Sequence, residues 1–236
     1  MIHLFTDFTT KGPYLGQMKA VIHRICPSTP VIDLIHDVPA FNIRSAAILL
    51  RQLSTYIAPS EILLAVVDPG VGTPSRRPVI VEAGGRIYIG PDNGLFGLLP
   101  DVSMVREITD VSNNVSISFH GRDIFAPVTA RLAAGESFDS FSVSSEVPLS
   151  TVECTETFVT YVDAYGNVFT SLSEADIEPG QTLRVGRRQI PWKATFAEAS
   201  DGEVFWYVNS IGLVELAANK ASATKVLGLR VSDRIS

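Results

Sequence analysis

Along the first half of the chain, apolar residues follow two alternating rhythms. Short, nearly unbroken apolar runs, IHLFT near the N-terminus, PVIDLI at residues 30–35 and ILLAVV at 62–67, have the length of buried strands. Between them, YLGQMKAVIHRI and NIRSAAILLRQLSTYI repeat apolar positions at intervals of three and four. That spacing predicts amphipathic helices, the second opened by Asn42 as N-cap. Continuously apolar strands separated by helices predict a mostly parallel sheet covered on both faces. Ligands of such sheets bind beyond the carboxyl ends of the strands, which would gather Asp7, His36, Asp37 and Asp68 along one rim.

The pattern then changes. PVIVEA and RIYIG, joined at Gly84-Gly85, predict a hairpin, and PDNGLFGLL predicts a turn and a short helix. In SFHGRDIFAPVTARLAAG an extended piece ends at Ser118–His120, and a helix follows with Asp123 as its cap, Pro127 in its first turn and Gly135 just past its end. From about Ser137 a Ser-rich stretch without helical period reads as a linker or strap. Beyond it TFVTYVD, YGNVFTSL, QTLRVGRRQIP, VFWYVNSIGLVELAANK and ATKVLGLRV read as short strands and turns of a small barrel or sandwich. The predicted fold is therefore α/β. A mostly parallel α/β sandwich occupies 1–136, a linker 137–151, and a smaller, β-barrel-like domain 152–236.

Composition narrows the function classes. With 236 residues, 46% hydrophobic and 19% charged, the chain is an ordinary globular protein. Its net charge of -6 argues against nucleic acid as a partner, which would call for a basic surface. The N-terminus lacks a secretory pattern, and no apolar run approaches the roughly 20 residues of a membrane span, so the expectation is a cytoplasmic protein without a membrane partner. Cys26 and Cys154 lie far apart and lack metal-ligand spacing, which suggests reduced thiols. There is no HxxxH or HxH for a metal, no GxSxG and no GxxxxGK[ST], and TDFTTKGPYLG is not a dinucleotide fingerprint. Neither metal nor cofactor is expected.

The stretch EILLAVVDPGVGTPSRR carries the most suggestive chemistry. A buried strand ends at Asp68, a Pro-Gly turn follows, and Arg76 and Arg77 close it. Of the four histidines, His120 alone lies in a Gly-flanked polar loop ahead of a helix. Asp-Pro-Gly is also a common turn, and paired arginines are commonly solvated. Spacing alone leaves a site and a plain surface as alternatives.

Seven stretches in order, TDF at residues 6–8, YLGQMKAVI, VVDPGVGT, GPDNGLF, FHGRDIFAP, YVDAYGNVFT and YVNSIG, resemble the S-adenosylmethionine hydroxide adenosyltransferase family. These are S-adenosylmethionine hydrolases, with fluorinases and chlorinases as relatives. The resemblance implies attack of water or hydroxide on the 5′ carbon of the adenosyl group, giving adenosine and methionine. It assigns the nucleophile to Asp68, Arg76 and His120. It places Asp7 on the ribose hydroxyls, Phe41 beside the ribose, Phe169 in the pocket wall, and Asp163, Asn167 and Ser210 around the methionine part and the adenine. A homotrimer with sites between subunits is implied as well.

The chain also departs from the family pattern. Thr9 stands where relatives have glycine and Gly12 where they have a second Asp. The arginine pair lies one residue further from Asp68. Ile211 and Ala217 replace arginines of the halogenases, and the aromatic-Gly-Asn turn is one residue shorter than theirs. At this level a non-catalytic binder of adenosine or S-adenosylmethionine, and an S-adenosylmethionine-dependent halogenase, stand as alternatives to the hydrolase.

Overall fold

A computed structural model describes residues 1–73, 76–111, 114–141 and 147–235. The chain divides into two compact units, Met1–Val152 and Glu153–Ser236.

The first unit is built on a six-stranded sheet. Its strands are β1 (Ile2–Thr6), β2 (Val31–Ile35), β3 (Ile62–Val66), β4 (Pro78–Ala83), β5 (Arg86–Pro91) and β6 (Val102–Glu107), in the order β2-β1-β3-β5-β4-β6. β1 pairs in parallel with β2 and β3, and β3 with β5. The remaining pairings, β4 with β5 and with β6, are antiparallel. β1 and β3 are buried at every position, as their unbroken apolar runs require. β2 lies at an edge and carries exposed Asp33. The hairpin turns at Gly84-Gly85, both at positive φ, and folds back so that its second strand pairs with β3.

Helices α1 (Tyr14–Ile25) and α2 (Ile43–Leu53) fall where the apolar spacing puts them, and the Asn42 side chain accepts a hydrogen bond from the Ser45 N–H at 3.0 Å. Helix α3 (Ala126–Ala133) packs beside α1 and ends at Gly135, whose φ is +94°. Met18 and Ile22 of α1, Ile124, Phe125 and Val128 near α3, and Ile2, Leu4, Leu64 and Val66 of the strands share one core. Truncating one of the large side chains there would cost about 3–5 kcal/mol.

Three local expectations are corrected. Residues 92–99 form successive turns with no helix: Asn93 Oδ1 accepts the Leu95 N–H at 3.1 Å, while its amide and the Asp92 carboxylate bond other segments. Asp123 is no N-cap: helical structure begins at His120, and a π-helical turn, Gly121–Phe125, runs into α3. Asp123 instead receives the Ser116 N–H at 2.9 Å and pairs with Arg122. Residues 223–227 form a helix, α4 (Ala223–Leu227), where a strand was read. The Ser222 hydroxyl accepts from the Lys225 N–H, Gly228 ends the helix at φ +69°, and the Thr224 N–H bonds the Gly166 carbonyl.

Of the stretch read as a linker, 142–146 lie outside the described residues. Phe141 is fully buried in the first unit's core, and Val147 and Ser150 bond to Val105 and Asp92. The second unit has a four-stranded antiparallel sheet of β7 (Val159–Val162), β8 (Val168–Ser173), β11 (Val204–Val208) and β12 (Leu213–Ala218), in the order β11-β12-β8-β7. A separate ribbon joins β9 (Leu183–Val185) to β10 (Arg188–Ile190). Among the described residues these strands form no closed barrel, so the barrel-like reading gives way to an open sheet over its own core around Trp206 and Leu216.

Candidate functional site

β3 delivers Asp68 to the carboxyl edge of the parallel part of the sheet. The chain turns there, with the Gly70 N–H donating to Asp68 Oδ1 at 3.2 Å and the Arg76 N–H to the Thr73 carbonyl at 3.1 Å. Two glycines make this turn possible. A Cβ on Gly70 would lie 2.2 Å from an Arg76 guanidinium nitrogen. One on Gly72, at φ +81°, would lie 2.3 Å from the Ile117 carbonyl oxygen. The turn is thus pressed against the chain that leads into His120.

The two arginines separate by partner. Arg76 Nε lies 2.9 Å from Asp68 Oδ1, whereas Arg77 pairs with Asp92 and donates to the Pro148 carbonyl at 2.8 Å. Pro74 and Ser75, which carry the extra length of TPSRR, lie outside the described residues. The Asp68 side chain is only 4% exposed, and its Oδ2 is a buried oxygen with no hydrogen-bond partner among the described residues. Burial raises the Asp68 carboxyl above its ordinary pKa, against the opposing pull of Arg76, the Gly70 N–H and His120.

A cavity of about 300 Å³ lies over this edge, lined by Asp7, Phe41, Asp68 and His120 together with Phe8, Tyr14 and Phe119. Arg76 does not line it, so its charge reaches the cavity through Asp68. Asp7 follows β1 and accepts the Phe41 N–H at 3.0 Å. Burial raises Asp7 as well, the Phe41 N–H pulls the other way, and the charge of Asp68 adds to the rise. Phe41 is 73% exposed, at φ +63°. The Phe8, Tyr14 and Phe119 rings, with centroids 5.2–5.9 Å apart, form an aromatic wall. Sequence reading passed over this wall, although Tyr14 stands at the start of α1, beside the TDF turn. His36 is buried, bonded through Nδ1 to Thr6 at 2.9 Å and close to Asp33, so it belongs to the support of the rim.

The second unit has a wider pocket of about 870 Å³, which brings together Asp163, Asn167, Phe169 and Ser210. Asp163 shapes the turn between β7 and β8: Oδ1 accepts the N–H groups of Tyr165 and Asn167 at 2.9 and 2.8 Å, and Oδ2 accepts the Asn167 amide at 2.9 Å. Gly166 is required there, since a Cβ would lie 2.1 Å from Ser222 Oγ. Glu215, also lining the pocket, is buried, and accepts the Tyr207 hydroxyl at 2.7 Å and the Asn209 amide at 3.1 Å. Its pKa is raised chiefly by burial, and that of Tyr207 is raised by burial and by Glu215. A single acid inside the apolar run VELAA was the available signal for Glu215. Ala217 is fully buried beside Phe205 and does not line the pocket.

Residues 2–142 match the model of the SAM hydroxide adenosyltransferase N-terminal domain, and residues 157–236 that of its C-terminal domain. The chain belongs to this family. It is 37% identical to an (R)-S-adenosyl-L-methionine hydrolase of Salinispora tropica, over 99% of this chain and 96% of that one. A namesake from Thermus thermophilus is 34% identical over 97% and 96% of the two chains. Fluorinases match at 25% identity. A crystal structure of an uncharacterized conserved protein from Thermotoga maritima superposes with a TM-score of 0.91 at 33% identity, covering 100% of this chain and 99% of that one. Among the described residues no helix is long and apolar enough to cross a membrane, and no three His, Cys, Asp or Glu are grouped to hold a metal ion.

Proposed function

We propose that this family member hydrolyses S-adenosyl-L-methionine to adenosine and L-methionine. The observation that carries the reading is Asp68: a buried carboxylate at the mouth of a strand, raised in pKa, paired with Arg76 on one oxygen and without a hydrogen-bond partner among the described residues on the other, in a cavity shared with His120 and Asp7. Water attacks the 5′ carbon in line with the carbon–sulfur bond. The sulfonium leaves as the neutral thioether of methionine, so no general acid is needed, and the water's proton passes to Asp68 and then to solvent. Asp68 and His120 orient the water, and Arg76 keeps Asp68 ionised at neutral pH in spite of its burial.

Asp7 receives the ribose hydroxyls, Phe41 and the aromatic wall flank the nucleoside, and aromatic faces favour the sulfonium cation. Asp163, Asn167, Phe169 and Ser210 hold the adenine and the amino-acid part. The family resemblance supports a homotrimer in which the catalytic cavity of one subunit is completed by the C-terminal unit of a neighbour, and a cytoplasmic setting.

Chromatography of purified protein incubated with S-adenosyl-L-methionine should show adenosine and methionine in equal amounts. No adenosine above a His120→Ala control would reject the reading, and binding without turnover would favour a non-catalytic binder of adenosine or S-adenosylmethionine. Mixing inactive Asp68→Ala with the KM-impaired Asp163→Ala protein tests the trimer: at substrate well below KM, activity above that of Asp163→Ala alone requires sites built from two subunits.

A further inference from the structure

The turn that carries Asp68 and Arg76 is gripped at both ends by one dipeptide. Val67, immediately before Asp68, lies beyond the last β3–β5 pair, Leu64 with Ile89, so its carbonyl finds no partner on β5. The Asn93 side-chain amide supplies one, donating from Nδ2 at 2.8 Å, while Asn93 Oδ1 accepts the Leu95 N–H at 3.1 Å. Both ends of the amide are used, which fixes its orientation. Arg77, immediately after Arg76, is held by Asp92 twice: the Asp92 N–H donates to the Arg77 carbonyl at 2.9 Å, and the Asp92 carboxylate pairs with the Arg77 guanidinium. The Asp92 side chain is 1% exposed, and its other oxygen accepts the Ser150 N–H at 2.7 Å. The segment around Ser150 seats on the same turn, since a Cβ on Gly97 would lie 2.9 Å from the Ser150 carbonyl oxygen.

We propose that Asp92 and Asn93 are positioning residues that set the Asp68–Arg76 separation, and with it the readiness of Asp68 to take a proton. Neither residue lines the cavity. They act through peptide neighbours of the reacting pair, where a displacement of about 1 Å can cost on the order of 100-fold in rate. Freeing Val67 lets Asp68 drift from Arg76, and the buried carboxylate then loses the charge that opposes its protonation. The proposal rests on the hydrolase reading for its kinetic consequence but not for its geometry.

The test therefore uses two readouts on the full chain. In Asn93→Ala, and in the volume-keeping Asn93→Leu should the first not fold, both neutral changes, the Asp68 carboxyl followed by carbon NMR should titrate at higher pH than in the wild type. In the same proteins kcat should fall at least tenfold, with adenosine affinity within threefold and the acid limb of kcat moved upward. Phe141→Leu, a core truncation outside the site, should lower Tm without moving that limb. Asp92→Asn, which keeps an acceptor for only one of its two donors, Arg77 or the Ser150 N–H, should retain more activity than Asp92→Ala, which keeps neither. An unmoved Asp68 titration in the Asn93 variants, or a kcat within twofold of wild type, overturns the proposal. A moved titration in a protein whose wild type makes no adenosine supports the positioning and rejects the hydrolase.

Discussion

The two units use carboxylates in opposite ways. In the first unit Asp68 keeps a buried oxygen without a hydrogen-bond partner among the described residues, and it lines a cavity of about 300 Å³ together with Asp7. In the second, Asp163 receives three hydrogen bonds and Glu215 two, around a pocket of about 870 Å³. A carboxylate whose acceptor sites are filled by its own protein organises a surface. One with a desolvated, unused oxygen is held ready for a substrate or a proton. On the proposed reading, chemistry falls to the first unit and shape to the second.

The sharpest way to break this division is Asp68→Asn. It should lower kcat by about 10²–10⁴-fold while changing KM by no more than a few-fold, because the amide cannot accept the proton. In the wild type the steady-state kcat should fall as pH drops, with a midpoint above the ordinary carboxylate range, since the folded environment raises Asp68. A KM effect equal to the kcat effect would show that Asp68 only binds.

Asp163→Ala should do the reverse. It leaves three donors without their acceptor, so stability should drop by about 1–3 kcal/mol in denaturant unfolding. KM should rise about tenfold with a smaller change in kcat. A selective loss of kcat would erase the distinction between the units.

Asp7→Asn tests the cost of the first unit's charges. The folded pKa of Asp7 is raised, so its ionised form is less stable in the folded chain. That penalty is absent below the unfolded pKa, develops as pH rises through the folded one, and is complete at neutral pH. The amide can still accept the Phe41 N–H. Thermal unfolding at pH 7 should therefore move up by about 2 °C, the gain should vanish in acid, and calorimetry should show weaker adenosine binding.

The smallest effect belongs to Thr9, a β-branched residue at φ +56° beside the Asp7 loop. Thr9→Gly should relieve more strain than the added flexibility of the unfolded chain costs, for a net gain of about 0.5 kcal/mol in urea unfolding. A loss of stability would mean that the Thr9 hydroxyl, which accepts the Lys11 N–H at 3.3 Å, matters more than the backbone strain.

Much of the architecture was legible because it rests on local physics. Apolar spacing marks α1 and α2, the Asn42 cap opens α2, unbroken apolar runs mark β1 and β3, and Gly84-Gly85 turns the hairpin. In the second unit the same reasoning misread 223–227 as a strand and passed over its local caps, Ser222 and Gly228; the Gly166 carbonyl that also receives the Thr224 N–H lies almost sixty positions earlier. Asp68 and His120 stood out as candidates from their turns alone.

Other decisions belong to tertiary structure. Arg76 and Arg77 are equivalent as text, and only the arrival of Asp92, just past the return strand of the hairpin, draws Arg77 away and leaves Arg76 to Asp68. The raised pKa of Asp68, its oxygen without a partner among the described residues and the Asn93 amide bonded to Val67 all depend on neighbours brought together by strand order. Periodicity determines which face of an element is buried. Which charge meets which, and at what distance, is decided when the sheet assembles, because Coulomb and hydrogen-bond energies depend on ångströms that no spacing along the chain encodes.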